Sequence, residues 1–535
     1  MEITKQNFAE QIDNITEDLK RSCFIGFDAE FTAILSGDNF QNSLFDTNED
    51  RYNKMKTAVS KMVMTQIGLT MFQYDRDIDT YVAVGYTFHL CPQVVADIDQ
   101  SFIFQASTLK FLCKHNFDFN KFTYEGLPYL SKTEDAKIRQ HLKDNTLFQN
   151  LTHTLDIDDE KLLQTYCSDV SKWLTTSDED TMYIDVKSSV LRYLVHNEVR
   201  NRFPNVLTTD SLGNSNKVLI YRDKYVEGAV SAPTAILEEN LINSLLGFSQ
   251  IIYLLEAYNK PIVGHNMFLD IILLHNQFIG PLPEKYITFK KNINQIFPVI
   301  YDTKYISHEM SKRLSFDEVW KSNALKDLYE FFAEGKCKKL EQGINPIRLS
   351  TPFDVKQSYH EAGWDSFCSG YCFVRLGHWA ACESSGKYRP VGPTETLSGL
   401  SSYRNRVNVI RASVPYMNLV GEDPTSHRPQ LLHIKSLNEQ VINISKVVTA
   451  LAGIGSIDIK PYGSRAALLA AATQVTAERI LKQYRNSREY RISVYSPYQH
   501  SVASRMALWG GALLTGSLLI YFLRSNIKTK TNLSY

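Results

Sequence analysis

The chain lacks an excess of charge of either sign: lysine plus arginine is 58 and aspartate plus glutamate is 58. That excludes a global field that would draw in a polyanion, so any nucleic-acid contact must come from a local basic channel. Cysteine is scarce too, eight in 535 residues, and no two form a C-x-x-C pair. Cys368 and Cys372 stand four apart, but no second pair at zinc-site spacing accompanies them, which speaks against a structural zinc. The thiols read as reduced, in a cytosolic environment. The opening Met1-Glu2-Ile3-Thr4-Lys5 has neither the apolar core of a signal peptide nor the arginine richness of a transit peptide. The bulk of the chain is therefore expected in the cytosol.

What is present organises around Cys23-Phe24-Ile25-Gly26-Phe27-Asp28-Ala29-Glu30-Phe31. Its apolar residues suit a buried β-strand, and Asp28 and Glu30 stand two apart. Side chains at i and i+2 of a strand share a face, so both carboxylates aim at one point. Two unpaired anions leaving a core strand side by side repel, and desolvating them costs several kcal/mol. A divalent cation removes that cost, and oxygen ligands select a hard one such as Mg²⁺ or Mn²⁺. On its own, an Asp-x-Glu pair is equally a strand that ends in two solvated acids.

The length and 44% hydrophobic content allow about three or four units. Residues 1–130 read as the first half of an α/β core, with strands over 64–72 and 79–88 beside the first. Residues 131–238 are charged and helix-rich, an inserted helical domain. In its helix over 188–199, Arg192 and His196 lie four apart on one face, a spacing similar to that of the arginine–three–histidine module that binds single-stranded nucleic acid. Residues 239–382 return to the core, with a strand over 260–266, Asp270 early in the next helix and a strand over 300–304. His265 and Asn266 are expected to shape the turn before Asp270. Asp302 has no acidic partner at i+2 and reads as structural. Residues 383–403, rich in Ser, Gly and Pro, read as a linker.

Residues 404–497 follow a β-α-β-β-α-β order, that of an RRM-like domain. Its central strands offer Leu431, Leu432, His433, Ala467, Leu468 and Leu469 in place of base-stacking aromatics, so standard RNA readout is not expected there. Finally, 506–523 carries no charge and lies between Arg505 and Arg524. As a helix it would span roughly 27 Å, enough for a transmembrane tail anchor in a thin bilayer.

Four acids, Asp28, Glu30, Asp270 and Asp365, then stand out with His360, which is five residues before Asp365. Carboxylates hold Mg²⁺, and a neutral histidine accepts a proton from an attacking water near neutral pH. Asp-x-Glu, Gly264-His265-Asn266-x-x-x-Asp270 and His360-x-x-x-x-Asp365 resemble the motifs of the DEDDh 3′→5′ exonucleases. The closer resemblance is to the poly(A)-specific ribonuclease branch of the CAF-type deadenylases. It is carried by Phe27-Asp28-Ala29-Glu30-Phe31, Phe117-Asp118-Phe119-Asn120-Lys121 with Gly126-Leu127-Pro128-Tyr129-Leu130, Val263-Gly264-His265-Asn266-Met267, and His360-Glu361-Ala362-Gly363.

The resemblance implies an RNase H-like core, with Asp28, Glu30, Asp270 and Asp365 as ligands of two Mg²⁺ ions (or Mn²⁺) and His360 as general base. It implies that Phe31 and Ile34 line the 3′-terminal nucleotide of a single-stranded RNA, and Arg192 and His196 are further candidates for substrate contact. With its tail, the chain looks like the membrane-anchored branch of this family. That implies trimming of PIWI-bound precursor piRNAs at the mitochondrial outer membrane, with a Tudor-KH-type adaptor. A homodimer and the endoplasmic reticulum membrane stay open. So do two alternatives, a membrane-tethered poly(A) deadenylase and a catalytically inactive RNA-binding adaptor. The intact five-residue set argues against the adaptor, since clustered carboxylates without a metal only repel one another.

Overall fold

The structure is a computed structural model. It describes residues 1–34, 42–95, 97–144, 146–148, 157–186, 188–211, 214–222, 233–313, 320–334, 343–350, 358–438 and 441–531, the side chains of 210, 211, 214–216, 502, 503, 505 and 523–531 excepted. Its contacts define two compact units. One comprises Met1–Phe40, Tyr52–Asn408 and Tyr416–Glu422, and the other Gln41–Arg51, Val409–Pro415 and Asp423–Tyr535.

The first unit is built on a seven-stranded mixed sheet. Strands β1 (Glu2–Ile3), β2 (Phe24–Phe31), β3 (Met64–Asp75) and β4 (Thr80–His89) are ordered β1-β4-β3-β2, followed by Ile262–Gly264 and Ile300–Asp302. Ile347–Leu349 pairs with β4. β2, β3 and β4 run antiparallel, while Ile262–Gly264 joins β2 in parallel. β3 and β4 are buried along most of their length on both faces, with Thr65, Gln66 and Thr70 among the buried residues. Phe24 stacks on Phe72 at 4.7 Å and meets Phe373 edge-on at 5.0 Å.

Phe373 belongs to the helix Ala362–Ser385, which is buried on most of its circumference and lies on β2 and β3. Glycine permits that approach. A Cβ at Gly26 would stand 2.2 Å from the Ser366 carbonyl oxygen, and one at Gly68 would stand 1.9 Å from that of Ala362. Gly68 is also the register partner of Asp28. We expect Gly68→Ala to push this helix off the sheet, costing about 1–3 kcal/mol of stability by overpacking and so lowering the melting temperature. Because Asp365 rides on the helix, RNA cleavage should fall by about 100-fold, the scale of a 1 Å misplacement. A melting curve and a cleavage assay check this, and wild-type values in both would refute the close-packing role.

The insert, read as helix-rich with one strand over 217–221, carries a three-stranded sheet. Helices Ile157–Thr176 and Ser189–Arg202 pack against the three antiparallel strands Thr181–Asp185, Val206–Ser211 and Asn214–Arg222. Val206-Leu207-Thr208-Thr209 is β-branched-rich, the signal for the added strand. The stretch 383–403, read as a linker, includes the helix Pro393–Gly399, and its Val391 and Leu400 are buried. Here Gly392 and Pro393 mark a helix start rather than free chain.

In the second unit, strands Leu432–Ser436, Ile457–Pro461, Ala466–Ala471 and Tyr490–Val494 form an antiparallel sheet in the order second, third, first, fourth. Helices Ile444–Leu451 and Gln474–Gln483 cover one face, burying Leu432, Ile434, Val447, Leu469 and Ile480. On the other strand face, the Leu44 N–H donates to Asp458 (2.6 Å) and the Lys460 ammonium sits 4.5 Å from the Phe45 ring centre. The His433 ring lies 4.2 Å from that of His500. Residues 404–408, read as part of this domain, instead belong to the first unit.

Val502–Thr531 forms one 30-residue helix. Among the described residues, no helix is long and apolar enough to cross a membrane. The expected span, 506–523, ends outside the described side chains, at Leu523.

Candidate active site

Asp28 and Glu30 leave β2 half-buried, and the pairing with β3 shifts register immediately after Glu30. Such a bulge ends regular pairing and re-aims the side chains beside it. Burial pushes the Asp28 carboxyl well up from the ordinary aspartate range, and the charges of Asp365, Asp270 and Glu30 push it further. Glu30 is raised by burial first, then by Asp365 and Asp270. Carboxylates from three distant segments thus share one field.

Asp270 lies in the first turn of the helix Phe268–Leu274. That helix is aimed by the preceding turn, where Asn266 takes φ 67°. Fully buried Asp302 fixes the turn. It accepts N–H bonds from Asn266 (2.8 Å), Met267 (3.0 Å), Lys304 (3.0 Å) and Asn408 (2.9 Å). His265 is held between the Thr303 hydroxyl and the Asn323 carbonyl, both at 3.0 Å. Asp302, His265 and Asn266 therefore have the structural settings expected of them. Burial raises Asp270 to about 7, with a contribution from the Asp302 charge.

Asp365 lies in the first turn of Ala362–Ser385. The Ala362 N–H donates to Gln66 Oε1 of β3 (2.9 Å), and the hydroxyls of Thr70 and Ser366 are 2.7 Å apart. One Asp365 oxygen accepts the His360 N–H at 3.1 Å; the other is buried and has no partner among the described residues. Burial raises this carboxyl to about 7 as well. Glu30, His360 and Asp365 each offer a ligand atom, and all three lie within 4.8 Å of one another. His360 takes φ 70°. Burial lowers its pKa, as do the charges of His115, Lys114 and Lys326.

A buried, unpartnered carboxylate oxygen among acids that each favour a proton fits a hard divalent cation, which would replace those protons. The nearby Cys368 thiol is pushed well up by burial and so offers no thiolate to a softer metal.

The other candidates scatter. Phe31 is half-buried beside the acids, and Ile34, 51% exposed, is tied by its N–H to the Thr108 hydroxyl at 3.1 Å. Arg192 is half-buried in the insert. His196 is 0% exposed, with Nδ1 2.8 Å from the Thr208 hydroxyl. The expectation that His196 contacts substrate is corrected: the helix turns that side chain inward among Leu191, Val195 and Val199. Two neighbours of His360 were missed, Phe111 and His115, whose spacing of four was their only signal.

The family model described as CAF1 family ribonuclease matches residues 3–373. The chain is 62% identical over 529 residues to the pre-piRNA 3′-exonuclease trimmer of Bombyx mori, covering 99% of each. It is 30% identical to the poly(A)-specific ribonuclease PNLDC1 of Mus musculus, covering 98% of this chain and 99% of that one. The Mg²⁺ and Mn²⁺ bound structure of S. pombe Pop2p aligns at a TM-score of 0.33 and 14% identity, over 70% of this chain and 90% of that one. The extent of the family match and these near-full-length relatives settle the membership: the chain belongs to the CAF1 family of ribonucleases.

Proposed function

We propose that the chain is a 3′→5′ exoribonuclease of the DEDDh type that trims the 3′ ends of precursor piRNAs. The observation that carries the chemistry is the cluster of Glu30, His360 and Asp365, whose ligand atoms lie within 4.8 Å of one another, in a field shared with Asp28 and Asp270. Asp28, Glu30, Asp270 and Asp365 would hold two hard cations, Mg²⁺ or alternatively Mn²⁺. Bound there, the cations supply charge neutralisation at the scissile phosphate and a nucleophilic water at neutral pH. His360, kept neutral by its lowered pKa, accepts the proton of that water at a ring nitrogen. Phe31 and Ile34 offer apolar surface to the terminal nucleotide.

The substrate rests on the 62% identity to a relative named for pre-piRNA 3′ ends. From the family resemblance alone, we further propose that the RNA arrives bound to a PIWI protein, with a Tudor-KH-type adaptor. The poly(A)-specific relative keeps a tethered deadenylase as the second reading. The strand order of the second unit supports an RRM-like domain, and the chain's own Leu44, Phe45 and His500 lie where RNA would be read. For the uncharged run 506–523, whose last side chain lies outside the described ones, we keep the reading of a tail anchor in the mitochondrial outer membrane, or alternatively the endoplasmic reticulum. Leu508, Trp509, Leu513, Leu514, Leu518 and Leu519 are all exposed on it, which supports this assignment.

The test compares oligo(A) with mixed-sequence RNA carrying a free 3′-hydroxyl, using the full chain. Comparable rates are expected; a preference for oligo(A) of about 100-fold, near 2.7 kcal/mol, would favour the deadenylase. In cells expressing the full chain, it should stay with membranes through alkaline carbonate, and its release would remove the anchor.

A further inference from the structure

We infer that His115, backed by Phe111, is a positioning residue for His360. This rests on the reading of His360 as proton acceptor, and the experiment below separates the two.

His360 needs external support. It is exposed and takes a left-handed backbone conformation, φ 70°, that side-chain-bearing residues seldom adopt. Such a conformation is strained and persists only where the surroundings over-determine it. Its only described hydrogen bond, to Asp365, is made by the backbone N–H. That bond fixes the main chain and leaves the imidazole free to change rotamer.

Two rings close around that imidazole. The His115 ring lies 4.2 Å from it at 61°, and the Phe111 ring 4.8 Å away at 75°. Phe111 and His115 are themselves in contact at 4.6 Å. Both orientations are edge-to-face, the arrangement aromatic pairs prefer. His360 is thus held against a two-ring backstop.

The backstop is rigid for local reasons. Phe111 and His115 are four apart, on one face of the helix Ala106–Lys114 and its C-cap. The helix closes with Asn116 at φ 57°, and the Phe117 N–H donates to the Leu112 carbonyl at 3.0 Å. Leu112, next to Phe111 on the same helix, is buried in the core. Phe117 then packs on Phe119 at 5.0 Å, and Phe119 on Phe104 at 6.2 Å. The density of aromatic residues between 102 and 122 thereby serves the site, bracing the helix end that braces His360.

The experiment is a double-mutant cycle on the full chain with RNA as substrate. His115→Ala is expected to lower kcat about tenfold through a looser imidazole. KM and melting temperature should stay unchanged, because the role assigned to His115 is to brace His360 and not to hold RNA. His115→Phe, which restores a ring, should recover most of kcat. In a His360→Ala background, His115→Ala should have no further effect, since residues acting through one another are non-additive. A full kcat for His115→Ala alone would overturn the inference. So would a rise in KM, or an additive loss in the double variant, either of which would give His115 its own role. If His360→Ala keeps wild-type kcat, it is the proton-acceptor reading that fails.

Discussion

Glu30→Gln should abolish RNA cleavage, by about three orders of magnitude, while leaving the melting temperature unchanged or slightly higher. The loss follows from charge. Glu30 lies with His360 and Asp365 in a cluster whose ligand atoms are within 4.8 Å of one another. Its carboxylate is a proposed ligand where negative charge must meet cation, and removing one such preorganised group typically costs 10²–10³ in rate. The retained stability follows from the same charge. The Glu30 carboxyl is held up by burial, Asp365 and Asp270, and so opposes its own ionisation in the cation-free fold. A neutral amide of equal volume relieves that repulsion and removes no packing. Cleavage of a 3′-hydroxyl RNA and a melt in chelator check both halves. A near-normal rate would take Glu30 out of the site, and a large drop in melting temperature would make it a structural residue.

That the site could be anticipated at Asp28 and Glu30 is a consequence of locality. A period of two on a strand places both acids on one face whatever the rest of the chain does. Asp270 and Asp365 were legible through spacing to a neighbouring Gly-His-Asn turn or to His360, because each sits in the first turn of a helix. The same kind of spacing misled at His196. A separation of four says that Arg192 and His196 share a helix face, and says nothing about whether that face meets water. Leu191, Val195 and Val199 turn it inward.

Contacts between distant segments leave no period at all. Leu44 meets Asp458 across 414 positions, so the covering of the second sheet by residues 44 and 45 has no local signature. The pairing of His115 with His360 is equally silent, although the Phe111–His115 spacing is visible. The stretch 383–403 shows a further limit. Its Ser, Gly and Pro mark turns and a helix start correctly, but composition does not reveal that Leu400 between them is buried.

Withdrawal of divalent cation should stop cleavage outright, and the stability it removes should grow with pH. Asp270 and Asp365 are each raised by burial to about 7 from an ordinary 3.8, and Asp28 and Glu30 move in the same direction. A raised acid holds its proton in the folded state over a range where the unfolded chain has released it. In the cation-free protein this contribution is therefore complete below about pH 4 and is lost as pH climbs through about 7. A divalent cation takes the place of the protons and so binds better as they leave. At 100 times its dissociation constant it adds about 2.7 kcal/mol. For a unit of this size, with about 2.1 cal/mol/K of unfolding entropy per residue, that is about 3 °C in melting temperature. We expect that rise on adding Mg²⁺ at about pH 8, and little of it at about pH 5.5, where the acids remain protonated. Melts with Mg²⁺ and with chelator at both values measure the difference. An Mg²⁺ shift as large at the lower pH as at the higher would mean that the four carboxylates are already ionised without metal, and that their burial does not hold them up.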